Sequence, residues 1–243
     1  MSPSDPDAAD APLPSDARAA YAQRHSDRLE MLFTLIMAMA AIATAWAGFE
    51  SSKWGGVQSQ LNTQAGAQRV QANRLFAEAG QLRSLDAIVF TQWLSALNIE
   101  IQADPGAFPA QGYVPREGTA SAFLYARFRQ EFRPAFDAWL AQRPLRNPDA
   151  ARTPLEVPEY RLASQAEAER LLAEAEAKAA RALELSQVSE NYTLVSVMFA
   201  LVLFFVAVGN KSSGRFARRL LFGLSLITFV ATLGVMLSFP VAP

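Results

Sequence analysis

The chain has 243 residues, a net charge of −1 and no cysteine. Near-neutrality supplies neither the basic field that draws nucleic acid nor an acidic tail for buffering cations. The lack of cysteine excludes disulfides, thiolate metal sites and cysteine nucleophiles. Arginine outnumbers lysine 19 to 3 and alanine is abundant, a bias expected of a GC-rich bacterial genome, and the apolar residues are gathered into a few long blocks.

Residues 1–28 open with a stretch of Pro, Asp, Ser and Ala that has almost nothing large to bury, and they read as a disordered tail. The 19 residues 31–49 (MLFTLIMAMAAIATAWAGF) then contain no charge. At about 1.5 Å per residue they cover roughly the 30 Å hydrocarbon core, which predicts a transmembrane helix over 29–50. A buried helix of a soluble protein is the weaker reading, because such helices rarely stay uncharged on every face. Ala43-Thr44-Ala45 and Ala45-Trp46-Ala47 resemble signal-peptidase sites. The long polar stretch ahead of them and the length of the apolar block favour a retained anchor. Ala41, Ala45 and Gly48 give a smooth face for close packing, inside the bundle or between protomers. Glu50 follows at once, level with Lys53, as half of an interfacial ion pair or as a vestibule charge of an oligomeric channel.

Residues 51–190 form the predicted soluble domain, with 17 acids and 15 bases between 50 and 191. Leu61, Ala65, Ala72, Leu75, Phe76, Ala79, Leu82, Leu85, Val89, Phe90, Trp93 and Leu97 recur mostly at three- and four-residue steps and predict a helix over 57–101 that runs on directly from the first span, with a hinge at Gly55-Gly56 as the alternative. A loop rich in proline and glycine occupies 103–118. A helix over 119–142, kinked or restarted at Pro134, carries Phe123, Tyr125, Phe128, Phe132, Phe136 and Trp139. These rings either fill the core of a small bundle or form an apolar groove in which Phe123, Phe128, Phe132, Phe136 and Trp139 bind a partner helix or an acyl chain. Four prolines make 144–158 irregular. The last helix of the domain, over 162–190, has a seam of Ala168, Leu172, Ala175, Ala179, Ala182 and Ser186, flanked by Arg170–Glu174 and Glu174–Lys178 pairs. That seam suits antiparallel packing on the 57–101 helix, or packing on its own copy in an oligomer.

Two further uncharged blocks, 191–209 and 220–240, complete a set of three predicted spans. Between them, 210–219 carries Lys211, Arg215, Arg218 and Arg219 and no acid, which directs this loop to the cytoplasm. The N-terminal tail, with Arg18, Arg24 and Arg28 near the first span, then lies on the same side, and the large domain and the C-terminus lie outside. The inverted orientation is the alternative. Trp46, Trp54 and Tyr192 are candidate anchors at the membrane interface.

Chemistry-bearing motifs are sparse. The only histidine, His25, lies in the tail, so a histidine-based triad or metal cluster in the large domain is excluded. Neither GxxxxGK[ST] nor GxGxxG occurs. Glu78, Asp86, Glu100 and Glu131 are candidates for paired acid and base work, with solvated helix faces as the simpler reading. Asn191-Tyr192-Thr193 matches a glycosylation sequon, but it sits at the membrane surface and reads as incidental in a chain of bacterial composition. The uncharged blocks 31–49, 191–209 and 220–240 hold no Asp, Glu, Lys, Arg or His, which argues against a proton relay or ion-coupled transport.

The order of span, helical domain and two closing spans, with ATAWAGFESSKWGGVQ (43–58), FTQWLSALN (90–98), FRPAFDAWLA (132–141) and the NPDA…VPEY loop, resembles an uncharacterised family of bacterial three-span inner-membrane proteins. The resemblance implies a fold and a location and carries no activity. The expectation is thus an all-α membrane protein, three transmembrane helices with an inserted extracytoplasmic domain resembling a helical hairpin or coiled coil. It is expected to act without catalysis or cofactor as an interaction or scaffold protein of the inner membrane. Its expected partners are the lipid bilayer and either a second copy or another membrane or periplasmic protein, with no nucleic acid; an oligomeric channel or transport accessory is the alternative.

Overall fold

The computed structural model describes residues 15–105, 112–212 and 214–242, with side chains from residue 30 onward except that of Arg215. The tail over 1–28 therefore lies outside the described residues up to residue 14, and its side chains, His25 among them, lie outside throughout. The described residues are all-helical: α1 (Ser15–Ala103), α2 (Ala120–Tyr125), α3 (Arg133–Ala141), a 3-10 turn (Pro154–Glu156), α4 (Ala163–Lys211) and α5 (Arg215–Leu237). Three of the helices, α1, α4 and α5, are long and apolar enough to cross a membrane. The chain divides into two compact units, Met1–Gln60 with Arg181–Pro243, and Leu61–Ala180.

In the first unit the buried positions of α1 are Phe33, Ile36, Ala40, Ala43, Ala47, Glu50 and Trp54, alternating three- and four-residue steps down one face. Tyr192, Val195, Phe199, Val202 and Val206 of α4 are buried at the same spacing, as are Ser225, Phe229 and Thr232 of α5. Ring contacts tie the segments together: Phe33 meets Phe222 edge-on at 5.1 Å, and Phe199 meets Phe229 at 5.8 Å. Gly209 lets Phe33 in, since a Cβ there would lie 3.0 Å from the phenyl ring. Of the two placements expected for the smooth face, the one inside the bundle is corrected: Ala41, Ala45 and Gly48 are exposed, and the intrachain seam runs through Ala40, Ala43 and Ala47. The reason is register, because only the second set stays in step with Phe33 and Ile36.

In the second unit α1 contributes Ala65, Ala72, Ala79, Asp86 and Trp93, a buried position every seven residues. Ala72 packs with Ala168 and Leu171 of α4 against Leu75, Phe76 and Leu172, and Gln68 donates to Glu174 at 2.9 Å. Small residues on both helices allow their backbones to approach closely. Gly55-Gly56 does not hinge α1, which runs through both glycines.

The helix expected over 119–142 is two helices separated by a turn. α2 begins where the Thr119 hydroxyl accepts from Ala122 N, and α3 begins with Pro134 in its first turn, where no hydrogen bond is lost. The turn between them lets Phe128, Phe132, Phe136 and Trp139 close around Phe90, Trp93 and Leu97 of α1 in one aromatic core. The proline-rich segment folds back on α3: Ala151 accepts from Trp139 Nε1 at 2.7 Å and donates to Gln142 Oε1 at 2.8 Å. Pro154 and Val157 are buried there.

Trp93 is fully buried, edge-on to Phe136 at 4.7 Å and to Tyr113 at 5.0 Å, while its Nε1 has no hydrogen-bond partner. Truncation and loss of the N–H should therefore separate. In denaturant titrations of the full chain in detergent, Trp93→Ala is expected to cost about 4 kcal/mol. Trp93→Phe is expected to cost less than about 2 kcal/mol, because relief of the orphaned donor offsets part of the lost volume. Equal losses for the two variants would show that the indole N–H is not a liability.

Candidate functional site

The polar groups of the second unit converge on Asp86. It occupies a seam position of α1 where its neighbours in register are alanines and Trp93, so its carboxylate points inward and its side chain is only 4 % exposed. Arg129, from the turn between α2 and α3, meets it with two parallel bonds, Nε to Oδ1 at 3.0 Å and Nη2 to Oδ2 at 2.7 Å. Tyr160, on the segment leading into α4, donates its hydroxyl to Oδ2 at 3.0 Å. The remaining guanidinium nitrogen of Arg129 reaches Glu131 Oε2 at 2.8 Å. Burial, then the bond to Asp86, pushes the Tyr160 hydroxyl up and out of the ordinary tyrosine range, so it stays a donor. The bond to Asp86 likewise raises Arg129 and keeps it ionised against its own partial burial.

A carboxylate that receives a guanidinium fork and a phenol has three of its roughly four acceptor sites filled and is poorly placed to take a proton from a substrate. The arrangement acts as a clasp that ties two stretches of chain, remote in sequence from α1 and from each other, to one point on that helix. Glu100 makes a second, smaller clasp. Its two oxygens accept from Ser121 N at 2.8 Å and Ser121 Oγ at 2.6 Å, and Tyr113 donates to Ser121 Oγ at 3.0 Å. Of the four carboxylates singled out from sequence, Asp86 and Glu131 thus share Arg129, Glu100 holds the start of α2, and Glu78 stands exposed on α1.

The aromatic stripe divides. Phe128, Phe132, Phe136 and Trp139 are core, while Phe123 is exposed with the Arg127 guanidinium stacked 3.3 Å from its ring centroid. What α1 shows to solvent in this unit is unusual. Between residues 84 and 99 its only ionisable side chain is the internal Asp86, and Leu85, Ile88 and Ile99 are each more than half exposed. Ser84, Thr91 and Ser95 bond back to Gly80 O, Ala87 O and Thr91 O at 2.8–2.9 Å.

In the first unit, Trp46 is exposed as an interface anchor requires, whereas Trp54 and Tyr192 face inward. Tyr192 donates to Pro240 O at 3.1 Å and stacks edge-on with Phe239 at 5.5 Å. Glu50 is buried and accepts from Ala242 N at 2.8 Å, and the Lys53 ammonium lies 6.0 Å from the Phe49 ring. Among the loop cations, Lys211 and Arg219 are exposed, Arg218 pairs with Glu30 at 3.3 Å, and the side chain of Arg215 lies outside the described residues. No family model, curated protein or solved structure matches the chain.

Asp86→Ala leaves Arg129 and Tyr160 facing an empty acceptor site and is expected to cost about 3 kcal/mol in denaturant titrations of the full chain. Asp86→Leu combined with Arg129→Met, which removes both charges, is expected to recover at least half of that loss. A double variant no more stable than Asp86→Ala would show that the ion pair is not the clasp.

Proposed function

We propose that this chain is a non-enzymatic interaction or scaffold protein of the bacterial inner membrane, with a helical, coiled-coil-like domain on the extracytoplasmic side that docks a partner helix through α1. The observation that carries this reading is the charge-free face of α1 between residues 84 and 99. A solvated helix face normally carries charge, because charge costs little there and keeps the surface wet. Here Leu85, Ile88 and Ile99 stand exposed, and the intervening hydroxyls already satisfy themselves on their own backbone. Such a face loses almost no hydrogen bonds when water is removed from it. The seven-residue recurrence of Ala65, Ala72 and Ala79 supports the coiled-coil-like description of the domain.

The family resemblance of the ATAWAGFESSKWGGVQ and FRPAFDAWLA strings and the alanine- and arginine-rich composition support a bacterial source. Lys211, Arg215, Arg218 and Arg219 support a cytoplasmic α4–α5 loop, and with it an extracytoplasmic Leu61–Ala180 unit and C-terminus. An oligomeric channel or transport accessory has less support. Thr44 donates to Ala40 O at 2.7 Å and Ser225 to Phe222 O at 2.9 Å, so these hydroxyls are spent on their own helices and do not line a polar path.

A photocrosslinking side chain at Ile88 or Ile99 is expected to give one discrete adduct in native membranes, and the same group at Arg170 on α4 is expected to give none. Adducts of a second copy and of a different protein are separated by mass; diffuse or absent crosslinking at both α1 positions would remove the docking face. Orientation is tested with single cysteines in the naturally cysteine-free chain. In intact spheroplasts, Ala177→Cys, at an exposed position of α4, is expected to react with an impermeant maleimide and Ser212→Cys only after lysis; the reverse pattern inverts the topology.

A further inference from the structure

Among the described residues of the first unit, the end of α4 and the start of α5 combine three features that one ligand class satisfies together. Lys211, on the last turn of α4, and Arg219, on the first turns of α5, are exposed cations in a stretch, 209–220, that contains no acid. Arg218 lies between α5 and α1, 6.0 Å from the Phe33 ring, and meets Glu30 at 3.3 Å through Nη2 alone. Its Nε is buried with no hydrogen-bond partner. The first turn of α5 is capped by Gly214, which offers no side-chain acceptor, so the helix start adds backbone donors and a positive dipole end to the same place. Beside these donors, Phe216 is 80 % exposed and Leu220 is exposed too.

Cations and unfilled donors call for an anion, and a phenyl ring left bare beside them calls for hydrocarbon. A soluble anion would meet the first demand and leave the second. A water-filled surface would leave Phe216 unfavourably exposed. We propose that the α4–α5 turn is a binding site for the phosphate of an anionic phospholipid, held by Lys211, Arg218 and Arg219, with Phe216 inserted among the acyl chains. A zwitterionic lipid presents the same phosphate together with a cation that these side chains repel, so the site selects by net headgroup charge. The inference needs three membrane-crossing helices; it depends neither on the orientation of the chain nor on the docking role of α1.

The test uses the full chain reconstituted in mixed phosphatidylglycerol and phosphatidylcholine vesicles, extracted mildly, with retained lipid counted by mass spectrometry. Phosphatidylglycerol is expected to be enriched over its share of the bilayer. Lys211→Gln with Arg219→Gln should lower that enrichment by roughly tenfold or more, and high salt should lower it too. The charge-conserving pair Lys211→Arg with Arg219→Lys should keep it, as should Arg146→Gln in the other unit. Circular dichroism shows that each variant keeps its helices. No enrichment in the natural chain, undiminished enrichment in the Gln pair, or loss in the charge-conserving pair would each overturn the proposal. So would displacement of phosphatidylglycerol by equimolar inorganic phosphate, which would mark a site for a free anion.

Discussion

A helix in hydrocarbon has no water to turn to, so every polar group on it must find its partner within the protein. Much of this structure follows from that constraint. α1, α4 and α5 are unbroken through their uncharged stretches. Thr44, Ser225 and Thr193 return their hydroxyls to carbonyls three or four residues back. Where two such groups meet across helices they pair, as Ser51 does with Ser189 and Thr193. Even Glu50, at the edge of the first apolar stretch, takes a backbone N–H from the end of the chain. The tightest glycine approach in this unit among the described residues is steric, and Gly209 absorbs it by leaving room for Phe33.

The second unit solves the same problem with more irregular backbone. Short helices and proline turns free many donors and acceptors, and the buried rings of the aromatic core offer them little besides Trp139 Nε1. Asp86 and Glu100, both projecting from α1, gather those groups. A buried ion pair is weak evidence of stability, since desolvation offsets most of its attraction. Its geometry is another matter. Two parallel bonds from Arg129 fix the α2–α3 turn to one residue of α1, so the position of Phe128 and Phe132 in the core is set by a polar contact at its rim.

The three apolar helices, the proline-rich return and the small-residue seam were legible in the sequence because each rests on composition or period, which packing does not overrule. The break between α2 and α3 was not. No glycine or proline lies between Thr119 and Arg133, so local propensity favours a continuous helix, and the turn exists because Arg129 is drawn to Asp86. The inward Asp86 itself left a signal: Ala65, Ala72, Ala79, Asp86 and Trp93 share one seven-residue register, and a carboxylate in that register must be paired. Glu50 stands likewise in step with Ala43, Ala47 and Trp54. Residue type suggested a solvated helix face for Asp86 and an interfacial pair or vestibule charge for Glu50, and position buried both. The aromatic stripe was ambiguous for the converse reason. Phe128, Phe132, Phe136 and Trp139 keep helical steps and are core, whereas Phe123 falls out of step and is the ring left outside.

The two long helices of the second unit dress their outer faces differently, and the difference bears on function. α4 is covered in charge there: Arg170 bridges Glu167 and Glu174. Exposed pairs of this kind add little stability, so their value lies in keeping a surface wet and unattractive to other proteins. α1 carries no such dressing between residues 84 and 99, although α1 and α4 come from one alanine-rich composition and pack on each other through the same kind of seam. Stability does not account for that contrast, because charging Ile88 or Ile99 would disturb nothing beneath them. A face kept bare where charge would cost nothing is most simply understood as one that is covered when the protein works, which is why α1, and not the aromatic core behind it, bears the proposed docking role.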